Sequence, residues 1–379
     1  MTRTYLDHNA TSPIRPEVIE AVSAAMAVEG NPSAQHADGR AANRLISDAR
    51  EAVGLAMGVC AQDVIFNGGG SEGLNTAIHS AVRGGCQYLI VSSLDHPATI
   101  MSAEASGAKV IMLPATQSGQ TDLDALEVLL KDWDMSDGRP FLSLVAANSE
   151  TGVIQNTDRA IDLVHAAGGL VLIDAVQALG KLPMSYPADY VAVSAHKIGG
   201  PMGVGALYVS PDAPFSSLIN GGGQERRRRA GTLNVPGISG FGVAVNTIGE
   251  GFTKLEGLRS KMEEVMLGID PETIFFGKDS VRLANTSFFT APGLKAQTAM
   301  MNFDLKGVSV STGTACSSGK VGQSRAVEAM GRTDEAPHGA IRVSLGPDTS
   351  WEDVTIFLHH WEGLRLDWKA RSQSTKAIA

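Results

Sequence analysis

Short apolar runs separated by amphipathic stretches recur along the first half of the chain. Val64-Ile65-Phe66, Tyr88 to Val91, Val110 to Leu113, Phe141 to Val145 and Leu170 to Ile173 are almost wholly apolar. A strand with one wet face alternates, whereas a strand covered on both faces does not, so a run such as Leu170 to Ile173 reads as a strand buried in a parallel sheet. Helical patterns separate the runs, Leu123 to Leu130 being one. Two helices are expected earlier, from Pro16 to Glu29 and from Gly39 to Met57, with a polar loop, Gly30 to His36, between them. Further on, Tyr190 to Val193 predicts another strand. A small-residue turn carrying His196 and Lys197 follows, then a Gly/Pro-rich loop through Gly205 and a strand Ala206 to Val209. This order predicts an α/β fold with a mostly parallel sheet between helices, and ligands gather at the carboxyl ends of such strands.

A helical pattern from about Val235 to Leu267 leads away from that sheet. Thr273 to Phe276, Thr286 to Phe289 and Ile341 to Ser344 read as strands, and a final helix is expected around Trp351 to Trp368. The chain of 379 residues is long for one compact core. The expected division is a large domain, 13–250, and a smaller α/β domain built from 1–12 and 251–379.

Composition narrows the classes. A hydrophobic share of 43% with 19% charged residues suits a soluble globular enzyme. The net charge of −9 argues against nucleic acid as the principal partner. No run approaches 18 apolar residues and Met1 to Asp7 lacks a signal-peptide core, so a cytoplasmic protein away from membranes is expected. The three cysteines have no CxxC spacing, which argues against a disulfide framework or a zinc site. Cys60 and Cys86 lie beside apolar runs and are expected to be buried. Cys316 lies among glycines and small polar residues, Ser311 to Gly322, which read as an exposed loop carrying a reactive thiolate.

Lys197 sits at a strand end among small residues, where an amine escapes the cost of burial by losing its proton or forming a covalent bond. Asp174 closes the strand before it. Pyridoxal phosphate needs an anion at its pyridinium nitrogen and a lysine at its aldehyde carbon, and this pair matches both needs. Phe66 to Asn75, with Gly68-Gly69-Gly70-Ser71, is a glycine turn opening a helix, whose free N–H groups and dipole suit a phosphate. His96 follows the second strand and is placed to stack on the cofactor ring. The amides of Asn148 and Gln177 lie just past strand ends, in reach of the ring oxygen. Gly221 to Thr232 joins a glycine hinge to four arginines, Arg226 to Arg229, and suits a loop that reaches a phosphate across a dimer interface.

Taken together, the opening Tyr-Leu-Asp-x-Asn-Ala-Thr, Gly-Asn-Pro-Ser, Ser194-x-His196-Lys197-Ile198, the Gly-Gly-Gly-x-Glu-Arg loop ending in Gly-Thr, and Ala315-Cys316-Ser317-Ser318 resemble the cysteine desulfurases. These are pyridoxal-phosphate enzymes of fold type I, related to the class V aminotransferases. The resemblance implies Lys197 as the Schiff-base lysine, Asp174 at the pyridinium, His96 over the ring, and Asn148 and Gln177 at the ring oxygen. It implies phosphate contacts from Gly70, Ser71, Ser194 and His196, with Thr232 from the second subunit of a homodimer. Arg342, Asn31 and Asn148 would hold the carboxylate of L-cysteine. Cys316 would carry the sulfur as a persulfide to an iron–sulfur scaffold or another acceptor protein, as in the nitrogenase-associated branch. No resident metal is implied, although a thiolate such as Cys316 can ligate a transient iron–sulfur cluster. Gly70-Ser71 replaces the more usual Ala-Thr, Gly199 an aromatic, and Gln323 a proline. The alternatives are a selenocysteine lyase, another class V aminotransferase-type enzyme, and a non-catalytic scaffold retaining the fold.

Overall fold

The computed structural model describes residues 3–249, 251–313 and 324–378. The chain begins with a short strand β1 (Thr4–Tyr5) and two helices, α1 (Pro16–Met26) and α2 (Ala37–Met57). The α/β alternation then runs β2 (Val64–Asn67), α3 (Gly70–Arg83), β3 (Tyr88–Ser92), α4 (Pro97–Ala105), β4 (Lys109–Leu113), α5 (Leu123–Lys131), β5 (Pro140–Val145), α6 (Thr157–Ala166), β6 (Leu170–Asp174), β7 (Tyr190–Ser194) and β8 (Gly205–Val209). These strands form one seven-stranded sheet in the order β2-β8-β7-β6-β5-β3-β4. It is parallel from β7 through β4, and β8 runs antiparallel to both of its neighbours.

Alternate residues of each strand enter different apolar clusters. Ile90, Leu142, Leu144, Val171, Ile173, Val191 and Val193 face α1, α2 and α7 (Val235–Thr247). Leu89, Val91, Phe141, Leu170, Leu172 and Ala192 face α3 and α4. Burial on both faces is the physical reason the sequence shows unbroken apolar runs.

The C-terminal third adds α8 (Glu256–Ile269), β9 (Ile274–Phe275), β10 (Thr286–Thr290), α9 (Ala296–Leu305), β11 (Val308–Ser309), β12 (Ser311–Thr312), α10 (Arg325–Ala329), β13 (Ile341–Ser344) and α11 (Trp351–Ile378). Here β12, β13, β10 and β9 make an antiparallel sheet, while β1 pairs with β11. Its own core joins Leu6 to Phe289, Phe303, Phe357 and Trp361. Among the described residues no helix is long and apolar enough to cross a membrane.

Three expectations are corrected. The single helical pattern from Val235 to Leu267 is two helices, α7 and α8, because the chain turns at Gly249, whose φ is 49°. Ser311 and Thr312 belong to a buried strand opposite Arg342 and Ile341, not to an exposed loop. Their polar side chains hid a strand stabilised by its backbone ladder. Cys60 is exposed, since it precedes a short 3₁₀ turn instead of packing on β2, whereas Cys86 is buried and its thiol is pushed up to about 11 by that burial. Cys316 lies outside the described residues.

The arginine-rich loop is tied to the sheet edge by a buried carboxylate. Glu225, Arg226 and Arg227 all adopt positive φ, 46°, 56° and 65°, a region costing roughly 1–2 kcal/mol per non-glycine residue. Glu225 accepts both terminal nitrogens of Arg50 and the N–H of Phe66 on β2. Arg226 and Arg228 donate to the Gln62 carbonyl, and Arg229 pairs with Glu72 in the first turn of α3. Glu225→Ala leaves Arg50 without its buried partner and a strained loop without its anchor. It is expected to lower unfolding free energy by about 3–5 kcal/mol, read as a fall in the urea midpoint. An unchanged midpoint would show that the loop holds itself.

Candidate functional site

The carboxyl ends of the parallel strands open into a cavity of about 430 Å³. Strand register sets its floor. Asp174 pairs with Val145 on one side and Ala192 on the other, and Ser194, Gly205 and Asn67 stand in one row across β7, β8 and β2. Asp174, Ser194, His196, Lys197, Gly70, Ser71, His96, Gln177 and Arg342 all line this cavity.

At one end lies the N-terminus of α3. Its cap residue, Gly69, has φ 137° and ψ −179°, which only glycine adopts without strain, and no side chain caps the helix. A Cβ at Gly70 would stand 2.6 Å from Val176 Cγ2, so the glycine found here in place of alanine fits its neighbour. The first-turn amides therefore meet the cavity beside the Ser71 and Ser194 side chains, an arrangement suited to a phosphate. The site cap is Gly69, and Ser71 lies inside the first turn.

At the other end, Asp174 is buried, with Oδ1 accepting the Val176 N–H at 3.0 Å. Burial pushes its carboxyl up to about 6, against the Val176 hydrogen bond and the Lys197 charge. A protonated ring nitrogen would relieve that cost. Lys197 follows on a 3₁₀ turn, Ala195–Ile198, and its Nζ donates to the main-chain oxygens of Asn9 at 2.7 Å and Ala10 at 2.9 Å. His96 caps α4, and its Nδ1 accepts the Ala98 N–H, so the ring proton sits on Nε2. Burial, aided by Lys197 and Arg325, lowers this imidazole to about 4. His196 is lowered to about 4 as well, by burial and then by Lys197 and Lys181. Both rings are neutral at physiological pH.

The far wall holds Arg342. Its Nη2 donates to Asp7 and its Nη1 to the Ser149 oxygen, while Nε is buried with no partner among the described residues. An orphaned guanidinium donor in a cavity wall suits a carboxylate ligand.

Three expected residues lie off the cavity lining. Asn148 donates to the Leu94 oxygen, and its Oδ1 accepts from Glu150, Thr151 and the Thr151 hydroxyl, so its amide shapes the loop. Asn31 is exposed, with Oδ1 accepting from Ser33, and Thr232 is exposed on the arginine-rich loop. Conversely, Asn9, Ala10, Glu150 and Arg325 line the cavity although the reading of single residues gave them no role. Asn9 stands inside the opening motif picked out from the sequence, but nothing local indicates that it, or Glu150, faces the pocket.

An aminotransferase class-V family profile matches residues 4–357. The chain is 36% identical over 370 residues to a cysteine desulfurase of Cereibacter sphaeroides, covering 94% of each chain. It is 34% identical to the cysteine desulfurase IscS of Methanosarcina thermophila, covering 92% of this chain and 89% of that one. Among solved structures it is similar to a NifS-like protein, with TM-score 0.86, 31% identity, and 96% and 99% of the two chains covered. The structure of SspA in complex with cysteine gives TM-score 0.79 at 25% identity, covering 92% of this chain and all of that one.

Glu150 touches the roots of the segment that carries Cys316. Its Oε2 accepts the Ser324 hydroxyl and stands 2.1 Å from where a Cβ on Gly313 would lie. Burial pushes its carboxyl up to about 7, against Ser324, Arg342, the Ala326 N–H and Arg325. The group is thus neutral below about 7 and charged above it. Infrared titration of the ligand-free protein should show a protonated-carboxyl component with that midpoint, absent in Glu150→Gln. An identical titration in the variant would assign the shift elsewhere.

Proposed function

The chain belongs to the class V aminotransferase family and is a pyridoxal-phosphate-dependent cysteine desulfurase of fold type I; from that premise we propose how its residues divide the work. The observation that carries the assignment is the convergence of Lys197, Asp174 and the uncapped turn of α3 on one cavity. Their donor set matches the aldehyde, ring nitrogen and phosphate of pyridoxal phosphate. When bound, the cofactor supplies an electron sink for bonds at the α and β carbons of an amino acid.

Lys197 is the residue that holds the aldehyde carbon and moves the proton at the substrate's Cα. Asp174 faces the ring nitrogen, where a protonated partner keeps the carboxylate ionised despite burial. Neutral His96 covers the ring, and Gln177 directs an amide toward the ring oxygen; Asn148, assigned there as well, has its amide engaged by Leu94 and Thr151. Gly70, Ser71, Ser194 and His196 take the phosphate, joined by Thr232 from a second subunit. Arg342 takes the substrate carboxylate, and the same reading adds Asn31, which is exposed and off this cavity lining.

Cys316 is the sulfur carrier. Its thiolate forms an S–S bond as the Cβ–S bond of substrate cysteine breaks, so that the cysteine and a protein thiol become alanine and a persulfide. The persulfide then passes to an acceptor protein that builds iron–sulfur clusters. We place the enzyme in the cytoplasm as a homodimer, and assign 13–250 to the cofactor domain and 1–12 with 251–379 to the smaller one. The separate apolar clusters of the two parts support the domain division.

Cys316→Ser should keep the visible absorbance of the bound cofactor and lose persulfide formation, since a hydroxyl is a far poorer nucleophile toward sulfur. Mass spectrometry after cysteine treatment decides: added sulfur on Cys316 supports the reading, and added sulfur confined to Cys60 or Cys86 sinks it. Arg342→Lys should raise the KM for cysteine roughly tenfold or more, because a charged hydrogen bond contributes about 1.5–3 kcal/mol. Unaltered cysteine kinetics would move the carboxylate site.

A further inference from the structure

Behind the cavity wall lies a second lysine that the reaction does not call on. Lys181 is 6% exposed and, among the described residues, forms an ion pair with no carboxylate. Its Nζ donates to Gln177 Oε1 at 2.8 Å and to Asn9 Oδ1 at 3.0 Å. Those two bonds decide which way each amide points. With Oε1 turned to Lys181, Gln177 must present Nε2 to the Asn9 carbonyl, where it donates at 2.9 Å, and its second N–H is left for the cavity it lines. With Oδ1 turned to Lys181, Asn9 must present Nδ2 to the Ser149 oxygen and the Thr286 hydroxyl. The Asn9 main-chain oxygen, held between these groups, is an acceptor for Lys197.

We propose that Lys181 is a positioning residue, whose two hydrogen bonds fix the donor directions of Gln177 and Asn9 and thereby the setting of Lys197. The proposal rests on the assignment of Lys197 and Gln177 to the cofactor.

Its charge state follows from its surroundings. Among the described residues the groups that face Lys181 are cationic or neutral: Lys197 and Arg342 both disfavour its charged form, and the imidazoles of His8 and His196 are neutral chiefly through their own burial. Burial is the larger cause, and together these hold its amine well below the usual lysine range. The Phe252 ring, 5.0 Å from Nζ, attracts an ammonium, but less than burial of an unpaired ion disfavours it. A neutral amine has two N–H groups, and the structure offers two acceptors.

Two variants of the holoenzyme test this. Lys181→Met keeps the length, removes both donors and, if the amine is neutral, removes no charge. The pH midpoint of the cofactor's visible absorbance should then move by less than about 0.3, while the cofactor affinity, measured by equilibrium dialysis, falls about tenfold as Gln177 loses its fixed orientation. Lys181→Arg brings a permanent cation toward Lys197 and should lower that midpoint by about one unit or more. A urea midpoint on each variant separates these effects from a loss of folding. In the cofactor-free protein, the 13Cε resonance that disappears in Lys181→Met should carry the neutral-amine shift at pH 7.5. A midpoint raised by about one unit in Lys181→Met would mean that a cation had been removed, and would overturn the proposal. So would unaltered affinity. Loss of all visible absorbance on Lys197→Ala is the control: if it persisted, the Lys197 assignment would fail first.

Discussion

Asn9 makes seven hydrogen bonds to residues scattered over the whole chain. Its carbonyl accepts from Lys197 and Gln177, its Oδ1 from Lys181 and Asn285, its Nδ2 donates to Ser149 and Thr286, and its main-chain N–H donates to Ser344. Ser149, through the same oxygen, also receives Arg342. The Lys197 amine and, through the shared Ser149 oxygen, the Arg342 guanidinium are therefore linked to one buried asparagine. In a low-dielectric interior such a network is rigid when each member is satisfied and costly when one is removed. The antiparallel sheet, through Thr286 and Ser344, is tied into the mouth of the parallel one at this point.

Burial sets the electrostatics of the site. Where it outweighs opposing charges, it drives imidazoles and amines toward neutrality and carboxyls toward protonation. His8, His96 and His196 move down for that reason, while Asp174, Glu150 and Asp95 move up. Asp95 is pushed well above the usual carboxylate range, first by burial and then by Asp174, with its Oδ1 accepting the Val145 N–H. Such a site is poised for a ligand bearing both a proton and anionic groups. Pyridoxal phosphate brings both.

What the sequence makes legible is what depends on local pattern. Four of the five apolar runs announce the sheet because both faces are covered, β4 at the sheet edge leaving Met112 exposed, and the positions of Asp174 and Lys197 follow from where β6 and β7 stop. The motifs that identify the family carry the rest of the expected site. The misreadings have equally local causes. Gly249 interrupts an apolar periodicity that otherwise looks like one helix. Ser311 and Thr312 look like loop because their stability comes from the ladder with β13 and not from their side chains. The roles of Asn9 and Lys181 have no local sign, since their partners are supplied by topology alone. Cys316, the residue most plainly singled out by its glycine and serine neighbours, lies outside the described residues.

The distances in sequence between these partners bear on how the molecule comes into being. The Lys197 amine meets its acceptor 188 residues earlier, Asn285 reaches Asn9 across 276 residues, and Ser344 does so across 335. During synthesis the parallel sheet is complete in sequence once β8 has emerged, yet Asn9 still lacks Asn285, Thr286 and Ser344. A nascent chain can form the sheet and its helices while the lysine's acceptor remains loosely held. Contacts of such long range form late because loop closure must precede them. The cavity reaches its working shape only when the last strand joins the first residues, so cofactor capture is tied to a finished polypeptide.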